Sequence, residues 1–199
     1  MHQRISRKIL IYLFIFFSLG TYSTQEISKI SLPKIDNYKI SGLSESKNKK
    51  IYEQLSSLKN QNLFFLNKKK VEEIINQYKI VEKFYVFKNY PSNLNVTIEK
   101  TDFLAFTKIN GLNFYIGSNG NFIETKNYDI DLPFLFGEIE TIEFLKLKRI
   151  IDDTNFNYKD IKNLYYFKSK RWDIETKDNL IIKLPIDNLK TSFKTLSKI

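Results

Sequence analysis

The chain has 199 residues, room for one domain or two small ones, and 32 Lys+Arg against 22 Asp+Glu give it a net charge of +10. Only four basic residues are arginine (Arg4, Arg7, Arg149, Arg171), and the lysines are dispersed among acids, so the charge reads as a solvated surface rather than a nucleic-acid stripe. Cysteine is absent and the single histidine is His2, which excludes a disulfide framework, a thiolate metal site and an imidazole base downstream of the amino terminus.

Taken in chain order, Arg4, Arg7 and Lys8 precede Ile9 to Gln25, a run of 17 residues without a charge. A spanning helix needs ~17–25 residues, so the run sits at the short limit. Ser18-Leu19-Gly20 is also an acceptable small-x-small cleavage site, which keeps a signal peptide open. The bulky rings of Tyr12, Phe14, Phe16 and Phe17 crowd the end where signal peptides prefer small residues, and favour an uncleaved anchor. Either reading leaves the basic stub in the cytoplasm and exports the chain beyond Glu26.

Residues 26–34 read as a linker stiffened by Pro33, and Ile35–Ile40 as a strand ended by Ser41-Gly42. Ser44 or Ser46 can cap a helix with Ile51, Leu55 and Leu58 at i, i+4, i+7. After the apolar bridge Leu63–Leu66, Asn67 caps a second helix carrying Val71, Ile74, Ile75 and Tyr78 on one stripe, with Lys68-Lys69-Lys70 solvated at its start. Strands Val81–Lys88 and Asn93–Lys100 flank a Tyr90-Pro91 turn, and Leu94, Val96 and Ile98 alternate with Asn95, Thr97 and Glu99. That alternation puts one face on a core and the other in water, and the order is β-α-α-β-β.

From Asp102 the pattern is antiparallel β. Asn110-Gly111 and Asn119-Gly120 both read as type I′ turns around a strand Leu112–Gly117. Leu132–Gly137 reads as a non-periodic connector, and Thr141–Ile151 as a helix with Phe144, Leu147 and Ile151 inward. Strands come next at Leu164–Phe167, Arg171–Thr176 and, after Asp178-Asn179, Leu180–Leu184; Asp187 then caps a helix with Leu189, Phe193 and Leu196.

Little chemistry is available. There is no Gly-rich phosphate loop, GxSxG elbow or cofactor motif. Asp152-Asp153 and Glu138/Glu140 are carboxylate pairs on single elements, which rarely straddle a substrate. Ser169-Lys170 fails as a dyad because neighbours on a strand point to opposite faces. Trp172 has period-2 core spacing with Ile174, and Tyr165-Tyr166-Phe167 reads as sheet core plus rim.

Tyr38-Lys39-Ile40-Ser41-Gly42, Asn62 through Asn67, Lys88-Asn89-Tyr90-Pro91 through Glu99-Lys100, Phe114–Ile123, Leu132–Gly137, and Lys170–Ile174 running into Ile182–Pro185 together resemble the bacterial cell-division family FtsQ/DivIB, more closely its FtsQ branch. The resemblance implies an α+β protein: stub 1–8, transmembrane helix 9–25, linker 26–34, POTRA domain 35–101 and a mainly antiparallel β domain 102–199. It favours a retained anchor and implies a non-enzymatic, single-pass inner-membrane scaffold at the septum. Its exported domains would bind other anchored division proteins, FtsB with FtsL, with no cofactor, small-molecule substrate or nucleic acid. The alternative from a different class is a POTRA-containing outer-membrane assembly or secretion factor, though such proteins usually carry several POTRA repeats or a barrel.

Members of the family usually continue past the last helix to a strand whose edge pairs with FtsB. This sequence does not show that strand, so either the reading frame is truncated or another edge serves, and no contact residue is carried over. The hairpin Arg171–Leu184 then becomes the exposed edge, with Leu180, Ile182 and Leu184 as candidate partner residues, Lys183 guarding it, and proline at Ile182 expected to remove a ladder donor.

Overall fold

In the computed structural model the described residues are 7–20, 33–59, 61–126, 130–138 and 140–196. Parts of the expected stub, anchor and linker (1–6, 21–32) and the carboxyl end (197–199) lie outside them. Helix α1 spans Arg7–Gly20, 14 residues. No helix among the described residues is long and apolar enough to cross a membrane.

The amino-terminal module forms where the sequence alternates most cleanly. Strands β1 (Asn37–Ser41), β2 (Val81–Asn89) and β3 (Asn93–Lys100) make a sheet of order β1-β3-β2. β3 is central, parallel to β1 and antiparallel to β2, with Val96 between Ile40 and Val86. Its even-numbered residues Leu94, Val96 and Ile98 are buried, and helices α2 (Glu45–Ser56) and α3 (Lys68–Ile75) cover that face with Ile51, Leu55, Val71 and Ile75. Each such aliphatic contributes about 1.5–3 kcal/mol when fully buried. The Asn67 side chain accepts from the Lys69 amide and caps α3 as expected; Ser44 occupies the α2 cap position without a side-chain bond. Gly42 (φ +111°) is obligatory, since a Cβ there would meet the Ile98 carbonyl oxygen at 1.7 Å.

The second module is a seven-stranded sheet of order β10-β9-β8-β7-β4-β5-β6. Its strands are β4 (Phe103–Ile109), β5 (Leu112–Gly117), β6 (Phe122–Thr125), β7 (Phe134–Phe136), β8 (Ile161–Tyr166), β9 (Trp172–Thr176) and β10 (Ile181–Lys183). Helices α4 (Thr141–Asp152) and α5 (Leu189–Leu196) bury Phe144, Leu147, Ile151 and Phe193 in a core with Leu135, Leu164 and Ile174.

Four expectations change. The connector Leu132–Gly137 holds β7, the central strand, parallel to both β4 and β8, so the sheet is mixed. Three apolar residues between Pro133 and Gly137 are too few to show a period, yet the Phe106 amide donates to the Pro133 carbonyl and the Thr107 hydroxyl to the Leu135 carbonyl, pulling the segment into the sheet. Only Asn110-Gly111 has the two positive φ values of a type I′ turn; at Asn119-Gly120 only the glycine does. Ser169 and Lys170 lie in a turn rather than on a strand. The carbonyl that receives the first α5 amides, those of Thr191 and Ser192, belongs to Asn188, one residue past the expected Asp187.

Asn119 stays in the turn between β5 and β6 and also joins the two modules. Its Nδ2 donates to the carbonyls of Lys79 (3.0 Å) and Val81 (2.9 Å), and its amide donates to Thr101 Oγ1 (3.2 Å). Beside it Ser118 Oγ donates to Glu82 Oε2 (2.9 Å) and accepts from the Asp102 amide (3.1 Å). Asn119→Ala removes the side-chain donor to the Val81 carbonyl, leaves the Lys79 carbonyl the longer bond from Asn121 Nδ2 (3.4 Å), and is expected to cost about 1–3 kcal/mol. Hydrogen exchange at Thr101 and Asn121 should quicken while β3 stays protected; unchanged exchange there would contradict the bridging role.

Candidate functional site

No group of three or more metal-ligating side chains occurs among the described residues. Of the carboxylates singled out in the sequence, Asp152 pairs with Lys148 and Asp153 with Lys190, while Glu138 and Glu140 are exposed, Glu140 at the α4 cap position without a side-chain cap bond. Trp172 is buried against Tyr166 (4.7 Å between centroids), and Tyr165 stacks on Phe136 (4.9 Å). Glu175 accepts from Asn163 (2.9 Å), Tyr165 (2.7 Å) and Lys162 (2.9 Å), and these donors hold its carboxyl down at about 2. These contacts brace the outer face of β8 and β9, and they leave edge pairing as the chemistry to consider.

Among the described residues the two sheets have four outer strands: β1, β2, β6 and β10. β2 carries a bulge between Val81 and Lys83, with Lys83 exposed, devices that discourage pairing. The β6 residues Phe122, Ile123 and Glu124 share a cleft with Gln77–Ile80 of the first module. β10 differs. Leu180, Ile181 and Ile186 around it are exposed, and a groove of about 350 Å³ runs between Ile182–Pro185 and Ser192, Thr195 and Leu196 of α5.

The register decides which β10 groups are free. Thr176 donates to the Leu180 carbonyl and Leu184 to the Trp172 carbonyl, and Ile182 lies opposite Ile174. Antiparallel ladders alternate, so the backbones of Leu180, Ile182 and Leu184 face β9. The outward N–H groups are those of Ile181 and Lys183, and the next outward position, Pro185, has none. The expected site residues therefore do not supply the free edge, and Leu184, 3% exposed, is core. Ile182 packs against the same core, while Ile181 is 59% exposed. The missed signal was parity: a residue closing a hairpin turn bonds back to its partner strand, so counting on from Leu180 puts every second residue inward.

The first module, two helices on one face of a sheet ordered β1-β3-β2, is of the POTRA class, and residues 34–100 match the family described as "POTRA domain, FtsQ-type". The chain is also similar to "Cell division protein DivIB" of Bacillus subtilis (strain 168), 23% identical over 208 residues that take in 99% of this chain and 77% of that one. The first module thus matches an FtsQ-type POTRA domain, and the chain as a whole is similar to a cell-division DivIB protein. A solved structure, the major extracytoplasmic domain of the trans isomer of bacterial DivIB from Geobacillus stearothermophilus, aligns with a TM-score of 0.37 and 14% identity over 48% of this chain and 87% of that one, a likeness too loose to bear on the fold.

Proposed function

We propose that this protein is a non-enzymatic, membrane-anchored scaffold of the division machinery that links other anchored division proteins at the septum. The observation that carries the reading is the free β10 edge: two outward donors, Ile181 and Lys183, flanked by exposed aliphatics and a groove against α5. A partner adding a strand there gains main-chain bonds from the edge and specificity from the groove. By family resemblance the partner is an FtsB/FtsL-like pair.

The anchor reading rests on α1 and the uncharged residues beyond it. Its side chains are exposed on every side, Phe14 to 75%, which a helix in water does not sustain. Arg7 and Lys8 at its start favour an amino terminus in the cytoplasm, with both modules on the outer face of the inner membrane. Fourteen residues rise about 21 Å, short of the hydrocarbon thickness of about 30 Å, and the residues that follow, 21–25, are polar but uncharged.

Mass measurement of the protein purified from membranes tests the anchor, with the uncleaved chain expected; a mature form beginning near Thr21 would refute it. Tagged full-length chain should co-purify with other anchored division proteins after mild cross-linking. Recovery of outer-membrane assembly factors instead would support the alternative class.

A further inference from the structure

The turn Leu63–Leu66 is built to hold two phenylalanines in solvent. Leu63 and Leu66 are buried in the POTRA core, while Phe64 and Phe65 between them are 55% and 79% exposed. The turn is well pinned. Asn62 Oδ1 accepts from the Phe64 amide (2.8 Å), the Asn62 carbonyl accepts from the Phe65 amide (3.1 Å), and Lys88 Nζ donates to the Leu66 carbonyl (3.2 Å). Phe64 rests on Tyr90 (4.6 Å between centroids), itself exposed, so three rings project from one pole. Leaving large apolar side chains in water forgoes the stabilisation that burial would bring.

Two further features share that pole. Asn62 Nδ2 donates to the Pro33 carbonyl (3.0 Å), so the rings lie where the chain enters the module from the apolar segment. Twelve residues separate Gly20 from Pro33, a reach of at most about 45 Å when extended. The turn also leads directly into α3, whose first three residues are Lys68, Lys69 and Lys70, with no acid in that turn. Cations at the positive end of a helix are misplaced for the helix itself. Lys68 pairs with Glu72 (3.4 Å); Lys69 and Lys70 are exposed. The acids to weigh against them are Glu73, exposed four residues beyond Lys69 on the same helix, and Asp36, whose amide donates to the Ser92 carbonyl beyond the Tyr90-Pro91 turn.

We propose that Phe64, Phe65 and Tyr90, with Lys69 and Lys70, dock the POTRA module onto an anionic lipid surface. This rests on the anchor reading above. Aromatic rings favour the headgroup level of a bilayer, and lysines beside them are attracted to anionic lipid. A segment already tethered by the anchor needs only weak intrinsic affinity, because the tether keeps its local concentration high. Docking would fix the height and tilt of the module over the membrane, and through the Asn119 bridge those of the β10 edge.

The test uses the full-length chain in nanodiscs containing brominated phosphatidylglycerol. The natural tryptophan, Trp172, is buried in the second module, and Phe65→Trp adds an indole at the turn. The position-65 emission should be quenched while that of Trp172 is not. Lys69→Gln with Lys70→Gln in that background should weaken the contact roughly tenfold or more. Resistance to alkaline carbonate extraction records insertion separately. A chain that inserts but shows no quenching at position 65, or shows it only with a division partner bound, overturns the docking and leaves the anchor standing. A chain that does not insert overturns both.

Discussion

Val96→Asp is expected to unfold the POTRA module, while Thr97→Asp leaves it folded. Val96 is 1% exposed in the middle of the central strand, between Ile40 of β1 and Val86 of β2, with α2 and α3 above it. A carboxylate there is buried among aliphatic side chains and loses the valine contacts, a penalty upwards of about 4 kcal/mol. Small domains are stable by only about 5–15 kcal/mol, and a module of this size sits toward the low end. Thr97, one residue along, faces water opposite Tyr85, where a surface change stays within about 0.5 kcal/mol. Thermal melting by circular dichroism checks the pair. Equal losses would refute the strand register; a clear loss only for Val96→Asp is the result expected.

Lys183→Pro is expected to abolish capture of the division partner without unfolding the protein. Lys183 has an exposed side chain and an outward N–H, so proline removes an edge donor and breaks no bond to β9. The pyrrolidine ring also occupies the line along which a partner strand would approach. Ile182→Pro acts differently. It deletes the donor aimed at the Ile174 carbonyl and detaches β10, at a cost of about 3 kcal/mol. A folded Lys183→Pro protein that still co-purifies its partner at wild-type yield would place binding on another surface.

The POTRA module was legible because its signals are local. The period-2 run of β3, the Asn67 cap and the Tyr90-Pro91 turn each act within a few residues, and their order suffices to stack two helices on a sheet. The second module was harder to read for a physical reason. β7 is three residues long and paired on both sides in parallel, so its identity comes from Phe106, Leu164 and their neighbours rather than from its own pattern. Asn119 does sit in the turn between β5 and β6, but its second role was not legible because its partners there, the Lys79 and Val81 carbonyls, are some 40 residues upstream. The candidate edge was legible as a strand, but side-chain pattern alone does not separate Leu180, Ile182 and Leu184, whose backbones bond toward β9, from Ile181 and Lys183, whose backbones face outward. Side-chain pattern reports burial; backbone parity, which decides pairing at an edge, has to be counted from the turn.

The most direct test of a division scaffold is where the protein goes in a dividing cell. A fluorescent fusion of the full-length chain, expressed at native level, should gather as a band at midcell before constriction and remain there as the septum closes. An even distribution around the envelope throughout the cycle, from a fusion shown to be intact, would contradict the account.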